Sequence, residues 1–169
     1  YFVGPEGLGS VLITSDAGHV LIDGALPQSA EIVADNVRTL GFRIEDVKWI
    51  LSSHAHFDHA GGIAALAKRS GAAVAASKRS AEILRLGTVS SDDPQVGYGA
   101  AMDFPKVKSV RELSDGEELV LGTLRIRTHY TAGHTPGATS YGWESCEGKK
   151  CLRMVYADSL NPVSAPGFR

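Results

Sequence analysis

The sequence has little of what marks several common classes of protein. Lys and Arg number 17 against 19 Asp and Glu, so no basic excess favours a nucleic-acid partner. No segment approaches the roughly 18 unbroken apolar residues of a membrane span, and no membrane partner is expected. No Gly-x-Ser-x-Gly segment occurs, which removes the main covalent alternative for hydrolysis. A small neutral or anionic molecule fits these absences better as a partner.

Cysteine is also scarce, and the two that occur flank a short polar segment. Cys146 and Cys151 enclose "EGKK", which is typical of a β-hairpin tip and would bring their Cα atoms within disulfide reach. The Cys-x-x-Cys pairs that a zinc knuckle requires are absent. We therefore predict a disulfide, with two free thiols as the alternative. A disulfide would indicate an oxidising compartment such as a bacterial periplasm.

The order of the apolar patterns predicts alternating strands and helices. With 169 residues and 43% hydrophobic content, we expect one domain over residues 1–169 with a substantial core. A hairpin over 9–24 precedes a helix over 29–41, where Ile32, Val33, Val37 and Leu40 are predicted to share one face. The alternation favours an α/β layered domain. Further strands are predicted at 47–53, 72–77, 117–122, 123–131, 138–144 and 151–158, and further helices at 60–71 and 80–87.

The stretch "LSSHAHFDHAGG", residues 51–62, places three histidines and one aspartate within six residues, directly after an apolar strand. Imidazoles with a carboxylate suit Zn²⁺ or another first-row divalent ion better than Ca²⁺ or Mg²⁺. His54 and His56 are two residues apart and project to the same side of an extended backbone. Asp58 and His59 follow where the chain turns into a helix, so they face a different point. This arrangement predicts two adjacent metals, one for each pair.

Another ligand is expected, because a catalytic zinc takes three protein groups and leaves a position for water. His134 lies in "TAGHTPGATS", on a tight turn after the alternating strand "LRIRTHY". A short loop there could bring its imidazole to the first pair. The histidines at 19 and 129 lie within predicted strands, and we expect them to be ordinary surface or core residues.

The motifs "HAHFDH", "GHTPG" and "YADSL" resemble those of the metallo-β-lactamase superfamily. The segments "VLIDGALPQSA" and "SCEGKKC" resemble subclass B3 in particular, and the likeness runs over nearly the whole chain. It implies an α/β fold, the αββα four-layer sandwich, with the C-terminal part of its second half missing here. Because both ends look cut, we expect the N-terminus to be incomplete as well. The resemblance also implies a monomeric, periplasmic protein of a Gram-negative bacterium.

Carried over position by position, the resemblance implies two zinc ions. His54, His56 and His134 would bind the first, whereas Asp58 and His59 would bind the second. Asp58 would also orient the nucleophile. The family completes the second site with a later histidine, for which this sequence offers no candidate.

Two interpretations are open for "YADSLN". Asp158 could bridge two metals, as an aspartate does in glyoxalase-like relatives. Alternatively, Ser159 could line the second-zinc pocket and hold water or substrate, as in the B3 enzymes, and we favour this interpretation. Asn161 stands where the family often has a serine or threonine that contacts the substrate carboxylate. Its amide can still donate a hydrogen bond.

The implied function is opening of the β-lactam ring of penicillins, cephalosporins and carbapenems through a metal-bound hydroxide, which confers antibiotic resistance. One alternative is another hydrolase of the superfamily, acting on a thioester or lactone, which should require Asp158 at the metals. Another is a metal-binding fragment without catalysis. The long segment 87–108 is expected to rim the active site, with Tyr98 and Phe104 either contacting substrate or anchoring the segment by packing.

Overall fold

Two β-sheets and one layer of helices make up the computed structural model, which describes residues 1–168. The first sheet follows the order of the sequence, with its first two strands antiparallel and the others parallel. Its strands are β1 (Val11–Ser15), β2 (Gly18–Ile22), β3 (Val47–Leu51), β4 (Ala73–Ser77) and β5 (Val110–Leu113). The sequence patterns predicted four of these strands, and β5 was missed.

The second sheet is an antiparallel meander, again in sequence order. Its strands are β6 (Glu118–Leu121), β7 (Leu124–Tyr130), β8 (Thr139–Glu147) and β9 (Lys150–Tyr156). Cys146 and Cys151 face each other across the β8–β9 hairpin and form a disulfide, which confirms that prediction.

The helices pack on one face of the first sheet. They are α1 (Ala30–Thr39), α2 (Phe57–Ala60), α3 (Ile63–Ser70) and α4 (Lys78–Leu86). Short 3-10 helices occur at Pro27–Ser29, Ile44–Asp46 and Val96–Met102, the last within the segment predicted as a long loop. No helix among the described residues is both long enough and apolar enough to cross a membrane.

The predicted face of α1 is half wrong. Val33 and Val37 are buried, but Ile32 and Leu40 are 47% and 41% exposed. The buried face instead uses the small side chains of Ala30 and Ala34, so that its spacing is i, i+3, i+4 and i+7. Small residues let the helix approach the sheet closely. The sequence prediction considered only large apolar residues and therefore missed these two alanines.

The helix predicted over 60–71 begins later, as α3 at Ile63, and a separate short helix, α2, precedes it, with Gly61 and Gly62 between the two. A Cβ atom at Gly62 would lie 2.2 Å from the carbonyl oxygen of Gly24, so only glycine permits this approach. The backbone N–H of Gly24 in turn donates to the carbonyl of His59. These contacts hold helix α2, which carries His59, close to the residues that follow β2.

Two hydrophobic cores separate the layers. One lies between the helices and the first sheet, and the other lies between the two sheets. In the second core, Tyr141 is completely buried, and its hydroxyl donates to the carbonyl of Ser52 at 2.8 Å. The α/β class predicted from sequence is confirmed. Over residues 1–168 the layers are helix, sheet and sheet, without the outer helix layer of a four-layer sandwich.

Candidate metal centre

The histidine cluster lies on the loop that leaves the carboxyl end of β3 and enters α2. In open α/β sheets, ligands commonly bind beyond the carboxyl ends of the strands. The backbone here curls inward, so His54 and His56 are buried at 0% and 1% exposure. Burying a polar imidazole costs desolvation free energy unless its nitrogens find partners. The burial of both rings therefore indicates that they have a function.

The second sheet brings His134 to the same place. The N–H of Thr139, at the start of β8, donates to the carbonyl of Ser53 at 2.8 Å. The carbonyl of Gly137 accepts hydrogen bonds from the hydroxyls of Ser77 and Ser80 at 2.7 and 2.8 Å. The turn that carries His134 is therefore fixed between the cluster loop and the N-terminus of α4.

Two overlapping groups of metal-binding side chains result. In the first, His54, His56 and His134 each offer a ring nitrogen within 4.8 Å of the other two. In the second, His54, Asp58 and His59 do the same with a carboxylate oxygen included. The ring centroids of the first group are 4.8 to 5.0 Å apart. The structure thus brings together all five residues that the sequence analysis proposed as ligands.

Carboxylates hold two of the four rings in place from behind. The Nδ1–H of His54 donates to Asp158 Oδ1 at 2.7 Å, and the Nδ1–H of His59 donates to Asp23 Oδ2 at 2.9 Å. A carboxylate can only accept, so each ring carries its proton on Nδ1 and keeps a lone pair on Nε2. Metal-binding histidines in proteins are generally oriented in this way.

The other two rings follow the same rule with different acceptors. The Nδ1–H of His134 donates to the carbonyl of Asn161 at 2.9 Å, which leaves Nε2 as the free nitrogen. His56 is reversed, because its Nε2 lies 3.1 and 3.2 Å from the two carboxylate oxygens of Asp93. Its lone pair is therefore on Nδ1, which faces the side-chain Nε2 of Gln95 at 3.4 Å. Every ring of the cluster has one nitrogen held by a protein acceptor and one lone pair available for a ligand.

Two buried polar atoms at this centre have no hydrogen-bond partner within residues 1–168. They are His54 Nε2 and Asp158 Oδ2. Since the large majority of buried polar side-chain atoms in proteins are satisfied, the unpaired Nε2 of His54, beside the lone-pair nitrogens of His56 and His134, indicates a ligand site. Imidazole nitrogens with one carboxylate match the donors that Zn²⁺ and similar ions prefer. The residues present therefore fit a transition-metal site.

Burial and neighbouring charges push the two adjacent imidazoles in opposite directions. Burial lowers the pKa of His54 more than the hydrogen bond to Asp158 raises it, so this ring stays neutral and keeps its lone pair. Burial also lowers the pKa of His59, but the hydrogen bond and charge of Asp23, with the charges of Asp58 and Asp158, outweigh it and raise that pKa. A proton therefore competes with a metal more strongly at His59 than at His54.

Asp23 is a residue of the candidate metal centre that the sequence analysis missed. Its fully buried carboxylate accepts hydrogen bonds from the backbone N–H and hydroxyl of Ser53 at 2.7 and 2.6 Å, from His59, and from the hydroxyl of Tyr156 at 2.9 Å. Its φ of 62° is a conformation that non-glycine residues rarely adopt. The available signal was a charged residue that directly follows the apolar strand in "VLIDG".

The remaining predicted site residues lie at the rim. Asp58 sits in the first turn of α2 with 36% of its side chain exposed, and its Oδ2 is 3.9 Å from His59 Nε2. Ser159 is half-buried and Asn161 is exposed. Asn161 contacts the centre through its backbone carbonyl, while Asp158 holds His54 and belongs to neither group of candidate ligands among the described residues.

The two aromatic residues of the 87–108 segment behave differently. Phe104 is buried at 7% exposure and packs in the core between helices and sheet, which favours the packing interpretation. Tyr98 is 44% exposed, and its hydroxyl donates to the carbonyl of Ser164 at 3.1 Å. Tyr98 thus ties the segment to the chain that follows Asp158.

Comparison with known proteins gives a consistent result. A profile described as "Metallo-beta-lactamase superfamily" matches residues 5–147. The solved structure of Rm3 metallo-beta-lactamase is 55% identical, with a TM-score of 0.96 over 100% of this chain and 62% of its own. MEM-A1, a subclass B3 metallo-beta-lactamase from a soil metagenome library, is 50% identical with a TM-score of 0.95, over 100% of this chain and 63% of its own. The B3 resemblance predicted from sequence is thereby confirmed.

A curated relative points to a different branch. Hydroxyacylglutathione hydrolase of Anaeromyxobacter dehalogenans is 33% identical over 113 residues, which is 67% of this chain and 32% of that protein. The chain spans less than two thirds of the length of these relatives. The profile nevertheless covers most of the residues and includes His54, His56, Asp58, His59 and His134. The chain therefore belongs to the metallo-beta-lactamase superfamily.

Proposed function

We propose that the protein carrying this chain is a zinc-dependent hydrolase that opens the β-lactam ring of penicillins, cephalosporins and carbapenems. The observation that carries the proposal is the pairing of every cluster imidazole with an acceptor on one nitrogen and a lone pair on the other. The likeness to named metallo-beta-lactamases at 50% and 55% identity supports the choice of substrate.

The chain would divide its ligands between two ions. Nε2 of His54, Nδ1 of His56 and Nε2 of His134 would hold one ion, and Asp58 with Nε2 of His59 would hold the other. When bound, such ions lower the pKa of water toward neutrality and polarise a carbonyl oxygen. The carboxylates behind the rings keep the lone pairs aimed inward and raise the basicity of the ligands.

Asp58 is the residue we assign to the catalytic step itself. Among the candidate ligands at the histidine cluster within residues 1–168, Asp58 offers the only carboxylate, and its side chain is 36% exposed, so an oxygen can accept a hydrogen bond from the attacking water and orient it. His54 and His56 are too deeply buried to exchange protons readily with solvent. No serine or cysteine nucleophile is needed in this scheme.

Ser159 and Asn161 are proposed to contact the substrate. They follow Asp158, whose bond to His54 places this segment directly beside the cluster. The hydroxyl and the amide can both donate hydrogen bonds to a carboxylate, a group that these antibiotics carry. Substituting both residues with alanine should raise KM for nitrocefin and leave zinc affinity unchanged.

A second candidate function is hydrolysis of a glutathione thioester, favoured by the similarity to a hydroxyacylglutathione hydrolase. In that interpretation Asp158 would serve as a metal ligand. The engagement of its Oδ1 with His54 argues for the first candidate, whereas its unpaired Oδ2 leaves an oxygen free for the second.

Activity assays on the full-length protein separate the candidates. We expect zinc-dependent hydrolysis of nitrocefin and of a carbapenem, and little hydrolysis of S-lactoylglutathione. The opposite preference would favour the thioesterase. The variant His134→Ala removes a metal ligand and should lose more activity than the roughly 10- to 100-fold that removal of a residue orienting such a ligand costs. His129→Ala, which changes an exposed histidine on β7, is the matched control and should keep full activity.

A metal-binding protein without catalysis is the remaining alternative. It would bind zinc but hydrolyse neither the β-lactams nor the thioester, at any zinc concentration. Metal analysis together with the two assays therefore distinguishes all three functions.

We also propose that the protein acts in the periplasm. The disulfide between Cys146 and Cys151 supports this location, because such bonds persist in oxidising compartments. Fractionation of the native host, with alkylation of free thiols before lysis, tests the proposal. An oxidised pair in the periplasmic fraction is expected, and reduced thiols in the cytoplasmic fraction would contradict it.

A further inference from the structure

We propose that Asp93 is a positioning residue that turns His56 toward the metal and couples metal binding to the 93–98 segment of the chain. The proposal rests on the metal site proposed above and adds to it a regulatory connection. Asp93 is 4% exposed and lies in the 87–108 region, 37 residues away from the histidine that it contacts.

The contact between Asp93 and His56 selects one ring nitrogen. Both carboxylate oxygens lie close to Nε2, at 3.1 and 3.2 Å, and both can only accept. The proton of a neutral His56 must therefore sit on Nε2, and the lone pair must sit on Nδ1. Without Asp93, the other tautomer becomes available, and it presents a proton instead of a lone pair at Nδ1.

The same segment also faces the nitrogen that would bind the metal. Asp93 Oδ1 accepts a hydrogen bond from the backbone N–H of Gln95 at 2.8 Å. The side-chain Nε2 of Gln95 lies 3.4 Å from Nδ1 of His56. A metal at Nδ1 takes the lone pair that this amide faces, so the amide must lose the interaction. Metal binding therefore changes a contact of the segment at Nδ1, while Asp93 keeps its contact at Nε2 of the same ring.

The segment can transmit such a change to the stretch of chain that follows Asp158. The carbonyl of Pro94 accepts a hydrogen bond from the N–H of Ala165 at 2.8 Å, and Tyr98 donates to the carbonyl of Ser164. Residues 93–98 therefore connect His56 with the stretch after Asp158, which carries the proposed substrate contacts Ser159 and Asn161. A shift at His56 would therefore reach the stretch that carries these proposed contacts.

The neighbouring carboxylate provides a matched control. Asp92 lies beside Asp93 in the same segment, but its side chain is 56% exposed and pairs with Arg79 and with the hydroxyl of Ser90. Its side chain makes no hydrogen bond to His56. Removing Asp92 loosens the same segment from α4 without touching the ring.

Zinc affinity of the full-length protein, measured by competition with a chelating dye, is the first test. The variant Asp93→Ala should raise the zinc Kd roughly 10- to 100-fold, the usual effect of removing a residue that orients a metal ligand. Asp93→Asn keeps an acceptor oxygen and should give a smaller loss, while Asp92→Ala should bind as the wild type does. Equal affinities for Asp93→Ala and Asp92→Ala would overturn the proposal.

Two further measurements report on positioning directly. In metal-free protein, nitrogen NMR should find the proton of neutral His56 on Nε2 in the wild type and in Asp92→Ala, and a mixture of tautomers in Asp93→Ala. Hydrogen exchange should slow or quicken at residues 93–98 when zinc is added to the wild type, and this response should vanish in Asp93→Ala. The proposal would be overturned if His56 kept the Nε2–H tautomer in Asp93→Ala. It would also be overturned if zinc changed the hydrogen exchange of residues 93–98 in Asp93→Ala as much as in the wild type.

The outcomes also separate this proposal from the proposed function. If the wild-type protein binds no zinc, the metal site itself is wrong, and the coupling is overturned with it. If the wild type binds zinc and hydrolyses β-lactams while Asp93→Ala behaves like Asp92→Ala, only the role of Asp93 is overturned.

Discussion

Replacement of Asp23 tests how strongly one buried carboxylate organises the metal centre. Asp23→Ala removes the acceptor for four donors, namely the N–H and hydroxyl of Ser53, Nδ1 of His59 and the hydroxyl of Tyr156. The two hydroxyls can rotate toward other acceptors. The N–H of Ser53 and the ring of His59 are fixed by the backbone and by packing, and they would remain unsatisfied.

The expected loss of stability follows from these two donors. Each unsatisfied buried donor costs about 1–3 kcal/mol, and more when its partner was charged. Removing one member of a buried charged pair typically costs about 3–5 kcal/mol. We therefore expect Asp23→Ala to lower the free energy of unfolding by about 3–5 kcal/mol, a large fraction of the roughly 5–15 kcal/mol of an ordinary domain. The zinc affinity should fall as well, because His59 loses its orientation.

Urea unfolding of the metal-free, full-length protein measures the effect. Asp23→Asn keeps the volume and one acceptor oxygen, so its loss should be smaller. Asp35→Ala removes an exposed carboxylate that pairs with Arg38 on the surface of α1, and it should cost less than about 1 kcal/mol. A loss for Asp23→Ala that is no larger than that of Asp35→Ala would refute the account of Asp23.

Three other results are expected. Dialysis against a chelator should abolish nitrocefin hydrolysis, and added zinc should restore it; activity that survives chelation would exclude a metal-dependent reaction. Tyr141→Phe leaves the Ser52 carbonyl without its buried donor and should lower the free energy of unfolding in urea by about 1–3 kcal/mol; an unchanged midpoint would contradict this. In metal-free protein, the raised pKa of His59 gives a stabilising contribution that is complete below pH 6.5 and is lost as the pH rises through the folded-state pKa. Stability above pH 6.5 should therefore decline more steeply in the wild type than in Asp23→Asn, and equal slopes would rule out this role for His59.

The sequence predicted the parts of the molecule that are encoded locally. The cluster at His54, His56, Asp58 and His59 is visible because its residues are adjacent in the chain. His134 could be linked to it because a turn of that composition follows a clearly alternating strand. The close approach of all five side chains in the structure follows from these local patterns.

The acceptors that hold the rings could not be found in this way. Asp23, Asp93 and Asp158 lie 36, 37 and 104 residues from the histidines that they contact. A lone aspartate in a strand end or a loop has no periodicity, and only the packing of distant elements decides which ring it meets. From the sequence, Asp158 is a possible metal ligand and Ser159 is the favoured site residue of that segment. Only the structure shows that Asp158 accepts a hydrogen bond from His54.

The errors in the fold also have physical causes. The strand β5 is only four residues long, and two of them are charged, so its pattern is too short to recognise. The exposure of Ile32 and Leu40 arises because α1 buries small alanines instead of its largest side chains. The 3-10 helix at Val96–Met102 has two glycines and no apolar period, so no pattern in the sequence predicts it.

The most direct test of the central claim is anomalous scattering at the zinc absorption edge from crystals of the zinc-loaded, full-length protein. The account predicts one peak bound by Nε2 of His54, Nδ1 of His56 and Nε2 of His134, and a second peak bound by Asp58 and Nε2 of His59. The absence of any peak at the cluster, or a peak bound without His134, would contradict it.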